Sequence, residues 1–241
     1  MKPPSLLQYR GYTVLAVSGI STEKSRMLVD NALDLTIAPR HIFKDNHRTY
    51  SAVFDVGGEA AMLKIPRGRN QRKWERLLTL FRGSEGVRTF RNLELMQRLG
   101  FGAPYPVLAA EKRKHGFVVD SFTYYAFEEG RPAESGDAEA VISELLHLHE
   151  TGYLRTDPQP ANFLVTDRGI VFIDFRLKKP FLLAGLKRKL ELAKLVRVYP
   201  ESASHIPKGL ISSPSFSLAK WLDMRIYNLR QGKRKLKRGL K

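Results

Sequence analysis

Three oxygen-bearing side chains within residues 152–175 have the types and spacing that phosphoryl transfer uses. Asp157 and Asn162 are separated by four residues in Asp157-Pro158-Gln159-Pro160-Ala161-Asn162, and the apolar run Ile170-Val171-Phe172-Ile173 ends in Asp174. Moving a phosphoryl group onto a hydroxyl requires a carboxylate that orients the hydroxyl and accepts its proton. It also requires hard oxygen ligands that hold Mg2+ against the nucleotide phosphates. A loop carrying Asp157 and Asn162, then a strand, a turn at residues 166–169 and a return strand ending in Asp174, brings all three to one place. Each has a plainer use when taken singly: Asp157 caps a turn, Asn162 fills a loop, Asp174 ends a strand. Their joint order is what points to chemistry.

Several elements must position this block. Residues 138–151 read as an amphipathic helix through Val141, Leu145, Leu146 and Leu148, leading into the loop. Far upstream, residues 41–44, 49–56 and 60–65 read as three short strands joined by turns at Asp45-Asn46-His47 and Gly57-Gly58, a meander ending near Lys64. Residues 84–99 have helical spacing in Val87, Phe90, Leu93, Leu95, Met96 and Leu99, and Gly100, Gly102 and Pro104 stop the helix. Residues 106–109, 116–120 and 122–127 read as further strands, and Glu128-Glu129-Gly130-Arg131-Pro132 as a polar break. The order predicts an α+β protein of two lobes flanking a cleft. A strand-rich, nucleotide-binding lobe would span residues 1–127, and a small helical lobe residues 128–241 with the loop, the metal site and a basic tail.

Composition narrows the partners. Across 241 residues, 41 Lys and Arg against 24 Asp and Glu give a formal charge of +17, so the chain is drawn to anionic surfaces or substrates. The absence of cysteine excludes disulfides, thiolate metal sites and cysteine nucleophiles. Neither a signal peptide nor a bilayer-spanning run is legible, which predicts a cytoplasmic protein, peripheral on the inner face of the cytoplasmic membrane. Residues 67–82 hold Arg67, Arg69, Arg72, Lys73, Arg76 and Arg82 against Glu75, with Trp74, Leu77, Leu78 and Leu80 near helical spacing. That segment reads equally as a solvated helix face or as a contact for an anion. Residues 224–241 contain eight basic residues and no acidic one, interleaved with Ile226, Tyr227, Leu229, Leu236 and Leu240. Residues 181–198 add Lys187, Arg188, Lys189, Lys194 and Arg197 on an apolar-rich helix, a pattern suited to an anionic membrane surface. No nucleic-acid recognition module is legible, so no nucleic-acid partner is expected. The histidines form no metal cluster; His147 and His149 lie two apart and cannot share a helix face.

The block from Asp157 to Asp174 resembles the catalytic loop and metal motif of the protein-kinase-like superfamily, in the form seen in small-molecule and sugar kinases. That resemblance implies a two-lobed kinase-like fold, with Asp157 as base and Asn162 and Asp174 as metal ligands. Lys64, in Ala60-Ala61-Met62-Leu63-Lys64, then matches the strand lysine that steadies the ATP phosphates. A helix glutamate should pair with it; Glu85 is favoured, with Glu94 and the aligned Asn92 as alternatives. Residues 127–129, Phe127, Glu128 and Glu129, match the linker that holds adenine. More narrowly, Gly11-Tyr12-Thr13-Val14, residues 101–113, Asp157-Pro158-Gln159-Pro160-Ala161-Asn162-Phe163 and Ile173-Asp174 with Lys178 resemble the bacterial lipopolysaccharide core heptose(II) kinases and their Kdo kinase relatives. The implied reaction is ATP-dependent phosphorylation of an inner-core heptose on a lipid-linked core oligosaccharide.

The chain departs from that pattern in places. The turn at Asp45-Asn46-His47-Arg48 lacks glycine, leaving Lys44 or Arg48 to act on phosphates electrostatically. Arg155 replaces the loop histidine, and Arg176 the glycine after Asp174-Phe175. Gln159 stands where protein kinases carry a lysine, and Lys178-Lys179-Pro180 follows Asp174 without a long activation segment, which disfavours a protein acceptor. These departures also motivate a second expectation, a catalytically inactive kinase-like scaffold bound to a membrane.

Overall fold

Residues 12–17 divide by parity. Val14 and Ala16 join a buried cluster with Leu28, Phe54, Leu63, Leu108 and Tyr124, whereas Leu15 and Val17 join another with Phe90 and Ala109. A strand that is apolar on both faces has to be covered on both. The computed structural model, which describes residues 3–68 and 73–239, shows how. Arg69, Arg72, Leu240 and Lys241 lie outside the described residues, as do the side chains of residues 73–76 and 234–239.

The chain divides into two units, Met1–Glu128 and Glu129–Lys241. In the first, β1 (Ser5–Tyr9), β2 (Tyr12–Ala16), β3 (His41–Asp45), β4 (Tyr50–Val56), β5 (Glu59–Ile65), β6 (Pro106–Lys114) and β7 (Phe117–Ala126) form one sheet in the order β1-β2-β6-β7-β5-β4-β3. Every neighbouring pair is antiparallel. Helix α1 (Thr22–Asp34) places Leu28, Val29 and Ala32 on one face of the sheet. After α2 (Lys73–Arg82), helix α3 (Glu85–Arg98) brings Phe90 to the other.

Most predicted elements of this unit are present. The Gly57-Gly58 turn closes β4 onto β5 as a two-residue hairpin, with φ of 64° and 83° that side-chain-bearing residues rarely adopt. Two differences have physical causes. Residues 116–120 and 122–127 are one strand, β7, because its interior polar groups find partners across the sheet: Tyr12 donates to Asp120 at 2.6 Å, and Ser121 pairs with Glu111 in register. The hairpin β1–β2 and helix α1 have no counterpart in the predicted order. Ser21 caps α1 by accepting from Lys24 N at 3.1 Å, and buried Asn31 fastens it by donating to Tyr124 Oη at 3.1 Å and accepting from Ile37 N at 2.8 Å.

In the second unit, β8 (Arg131–Pro132), β9 (Phe163–Thr166) and β10 (Gly169–Phe172) form a small sheet in the order β10-β9-β8. The polar break at Arg131-Pro132 is thus an edge strand on β9. Helix α4 (Ala138–Glu150) buries Val141, Ile142, Leu145 and Leu148. Helices α5 (Ala184–Val198), α6 (Lys208–Ile211) and α7 (Pro214–Gly239) follow. α5 and α7 are clamped by Arg197 Nε, which donates to the buried Asp223 carboxylate at 2.5 Å. Among the described residues no helix is long and apolar enough to cross a membrane.

The start of α3 is pinned. Ser84 caps it by accepting from Val87 N, and Ser84 N itself donates to Glu111 Oε2 at 3.1 Å from β6. Gly86 lets the helix lie so close to β7 that an added Cβ would meet Phe122 O at 2.4 Å. Burial pushes the Glu111 carboxyl upward, but hydrogen bonds from Arg113, at 2.7 Å, and Ser84 outweigh it, so its pKa sits below the usual value. A depressed carboxylate stabilises the fold above its unfolded pKa and stops doing so as pH falls through the folded one. Glu111→Gln should therefore cost about 1–3 kcal/mol at pH 7, and the deficit relative to the parent protein should shrink below about pH 4. Urea melts at both pH values check it; an equal deficit at each would contradict the assignment.

Candidate active site

The loop after α4 is shaped by its own backbone bonds. With Pro158 and Pro160 unable to donate, the remaining N–H groups fold the loop inward: Gln159 N bonds Asp157 O at 2.9 Å and Asn162 N bonds Gln159 O at 2.9 Å. Asn162 then links both predicted partners. Its Nδ2 donates to Asp157 O at 3.2 Å, and its carbonyl accepts from Ile173 N at 3.0 Å, the residue before Asp174. Asn162 thus ties the backbone at Asp157 to the residue that precedes Asp174 within the second unit. Because the Asn162 amide nitrogen is engaged, its Oδ1 remains as the oxygen a cation would take. One carboxylate, one amide oxygen and room for water and phosphate oxygens fit magnesium, which keeps much of its hydration. Among the described residues no group of three or more His, Cys, Asp or Glu could hold a metal.

Two non-glycine residues of this block hold left-handed backbone: Thr156, φ 73°, and Asp174, φ 51°. The predicted apolar strand ends earlier than expected, at Phe172, and the chain turns sharply so that Asp174 is exposed. For a β-branched threonine such a φ is an outlier that the surroundings must enforce. They do so here. Thr156 N donates to Glu191 Oε1 at 2.5 Å, and Thr156 Oγ1 donates to Arg176 O at 3.2 Å.

Glu191, on α5, is buried and organises the loop from beneath. Besides Thr156 N it accepts from Arg155 N at 3.3 Å, and it shares a 2.9 Å bond with buried His149 of α4. Arg155 is wholly buried: its guanidinium lies over the Phe163 ring at 4.3 Å, and Nη2 donates to Ile173 O at 3.1 Å. Burial draws its pKa down to about 10, while the Glu191, Asp157 and Asp174 carboxylates pull the other way, so it stays charged at neutral pH. Arg155 therefore binds the loop to the end of the hairpin. Neither Glu191 nor His149 was singled out from the sequence. A glutamate at a buried position of the apolar-rich helix was the available signal.

The Asp157 side chain, 46% exposed, is met by Lys194 Nζ at 2.5 Å. Lys194 lies one helical turn beyond Glu191, so α5 supplies both the support beneath the loop and the cation beside its carboxylate.

In the first unit, Lys64 sits half-buried on β5 between Ser51 and Thr123 in register. Glu85 opens α3, close to Arg88 Nη1 at 3.5 Å, where Gly86 lies on Phe122, the neighbour of Lys64's partner Thr123. Glu94, the alternative, is half-buried further along α3. Phe127 follows β7, its N–H bonded to Ala60 O at 2.9 Å and its ring 5.9 Å from Phe43. Glu128 is half-buried at the end of this unit, and Glu129 is exposed at the start of the next. The glycine-free turn closes on itself: Asn46 Oδ1 accepts from Arg48 N at 2.9 Å and Thr49 N at 3.0 Å, and Arg67 reaches Asp45 at 2.6 Å.

Glu191→Ala would leave the amides of Arg155 and Thr156 and the His149 ring without their acceptor. A loss of about 3 kcal/mol is expected at ~1–3 kcal/mol per buried unsatisfied group, read as a lower urea midpoint. A change below about 0.5 kcal/mol, the range of ordinary surface substitutions, would show that the loop does not depend on this carboxylate.

No family model matches the chain, and no curated protein matches it by sequence. Solved structures match its architecture. The Rio2 kinase of Chaetomium thermophilum, in an ADP/Mg2+-phosphoaspartate complex, gives a TM-score of 0.53 at 15% identity over 91% of this chain and 71% of that one. A thermostable mutant of aminoglycoside phosphotransferase APH(4)-Ia, in a ternary complex with AMP-PNP and hygromycin B, gives 0.53 at 11% identity over 90% and 94%. WaaP, in complex with acyl carrier protein, gives 0.48 at 14% identity over 85% and 90%. With the sheet order and the loop–hairpin arrangement above, the first two likenesses establish that the chain has the α+β, protein-kinase-like fold.

Proposed function

We propose that the chain is a phosphotransferase that moves the γ-phosphate of ATP to a sugar hydroxyl, with a heptose of the lipopolysaccharide inner core as acceptor. The observation that supports this reading is the double tether of Asn162, to Asp157 O and from Ile173 N, which ties the backbone at Asp157 to the residue before Asp174. A kinase-like fold shared with proteins solved with ADP/Mg2+ and with AMP-PNP supports the nucleotide. The residue matches to the heptose(II) kinases support the acceptor, and the +17 charge suits a phosphorylated, lipid-linked oligosaccharide. A Kdo sugar is the nearest alternative acceptor.

In this mechanism Asp157 accepts a hydrogen bond from the acceptor hydroxyl, aligns its oxygen on the γ-phosphorus and takes the proton as the new P–O bond forms, while the bond from the γ-phosphorus to the β,γ-bridging oxygen breaks and ADP leaves with that electron pair. Lys194 holds the Asp157 carboxylate in place and offsets negative charge where the phosphoryl group passes; no lysine follows Asp157 in the loop itself. Asn162 Oδ1 and the Asp174 carboxylate would hold magnesium, which when bound would supply positive charge to screen the phosphates. Lys64 steadies the ATP phosphates, with Glu85 as its helix partner, and the backbone at Phe127, Glu128 and Glu129 receives the adenine. The strained φ values at Thr156 and Asp174 keep these groups preorganised.

A second reading, an inactive kinase-like scaffold, is favoured by one feature: the Asn46 side chain already occupies the turn amides that would otherwise face phosphate. Magnesium-dependent ATP binding separates the two, since a scaffold needs none.

The deciding experiment incubates the protein with labelled ATP and core oligosaccharide lacking phosphate, followed by mass analysis of the product. A gain of one phosphate on a heptose is expected. Asp157→Asn should lower kcat by at least about a thousandfold while leaving ATP binding intact, and Lys64→Ala should mainly raise the ATP requirement. Lys194→Met should lower kcat by roughly ten- to a hundredfold with little effect on the KM for ATP. Undiminished turnover in Asp157→Asn would remove that carboxylate from the mechanism.

A further inference from the structure

Between Asp174 and the body of α5 the chain makes a short loop whose tip is Phe181-Leu182-Leu183. These three side chains are 95%, 66% and 70% exposed, an apolar run that folding leaves in water. The loop is held at both ends. Lys178 exchanges two backbone hydrogen bonds with Leu154, at 2.8 and 2.9 Å, and Lys187 N bonds Leu183 O at 2.9 Å to close the first turn of α5. Leu183 adopts left-handed backbone, φ 54°, a strained choice for a bulky residue where glycine or asparagine would sit easily. The sequence thus accepts both strain and exposure to present apolar groups at this tip.

Six basic residues flank the run in sequence, Arg176, Lys178 and Lys179 before it and Lys187, Arg188 and Lys189 after it, with no acidic residue among them; Lys178, Lys179 and Lys187 are the exposed ones, while Lys189 Nζ bonds Ser215 Oγ. We infer that this tip is a membrane-docking wedge, with Phe181, Leu182 and Leu183 entering the acyl boundary of an anionic bilayer while the flanking cations meet lipid phosphates. The charge pattern selects the partner. An apolar protein groove would take the three side chains without needing a cationic collar, and a free phosphate or a nucleic acid would use the cations but leave the aliphatic groups in water.

The location gives the wedge a use, one that rests on the proposed lipid-linked acceptor. Phe181 lies seven residues after Asp174, and Lys178 is tied to Leu154, three residues before Asp157. A bilayer gripped here lies beside the catalytic loop, so a sugar carried on a lipid is delivered to Asp157 without leaving the surface.

The test uses the full chain and vesicles of phosphatidylethanolamine with phosphatidylglycerol, against neutral phosphatidylcholine. The protein should float with the anionic vesicles only. Substituting Phe181→Ser, Leu182→Ser and Leu183→Asn together should lower partitioning at least about tenfold, since three apolar side chains no longer leave water, with the melting temperature unchanged. Because the chain has no cysteine, Leu182→Cys carrying an environment-sensitive fluorophore reports insertion directly, and its emission should shift to the blue with anionic vesicles. Wild-type-like flotation of the triple variant, or no spectral shift at residue 182, overturns the wedge. Neither readout needs turnover, so a chain that docks without transferring phosphate overturns the kinase reading and leaves the wedge standing.

Discussion

The peptide N–H groups of Arg155 and Thr156 both end on the buried carboxylate of Glu191, and the arrangement of the loop follows from that. Thr156 carries a backbone conformation worth roughly 1–3 kcal/mol of strain for a β-branched residue. A charge-assisted bond of 2.5 Å to its own N–H is a sufficient counterweight. Without it the peptide would relax toward an extended form, and the Asp157 carboxylate, one residue on, would swing with it. His149 completes the arrangement from α4 by bonding Glu191 Oε2, the oxygen that also accepts from Arg155 N. The loop is thereby fixed between two helices as well as by its own backbone bonds.

The same carboxylate offsets part of the cost of burying Arg155, whose Nε and Nη1 are buried without hydrogen-bond partners. A guanidinium with no exposure should be strongly unfavourable, yet it rests on Phe163, donates to Ile173 O and lies in the field of three carboxylates. Its bond to Ile173 and the Asn162–Ile173 bond converge on one residue of the hairpin. Asp174 is therefore positioned by what holds Ile173. The hairpin is indexed to the loop by two hydrogen bonds of different origin, one from a buried side chain and one between backbones.

Local chemistry made part of this legible in the sequence. The Gly57-Gly58 hairpin, the helix capped at Ser84, the amphipathic run from Ala138 and the short loop-to-hairpin block each carry a signal within a few residues. What escaped depends on distant partners. The β1–β2 hairpin and α1 show little by themselves, because their apolar residues become meaningful only against β6, β7 and Tyr124. β7 looked divided because Asp120 and Ser121 are polar, and only their cross-sheet partners explain a continuous strand. Glu191 and Lys194 read as ordinary charges on a basic helix. Their positions thirty or more residues after the loop they serve cannot be derived from spacing.

Those distant partners also account for the places where the chain departs from the kinases it resembles. Gln159 removes the loop cation, and Lys194 brings an ammonium to Asp157 from α5 instead. Arg155 replaces a histidine and still reaches the Ile173 carbonyl. The glycine-free turn compensates differently: Asn46 folds its amides inward, so charge rather than backbone N–H is what that turn can offer an anion. Coulomb attraction needs only approximate placement, whereas an amide cradle needs particular φ values at each residue. A chain that relies on charge can therefore lose its glycines, provided lysines and arginines stand nearby, and Lys44 and Arg48 flank this turn. Electrostatic demands of this kind are met by where a charge arrives in space, whichever element delivers it.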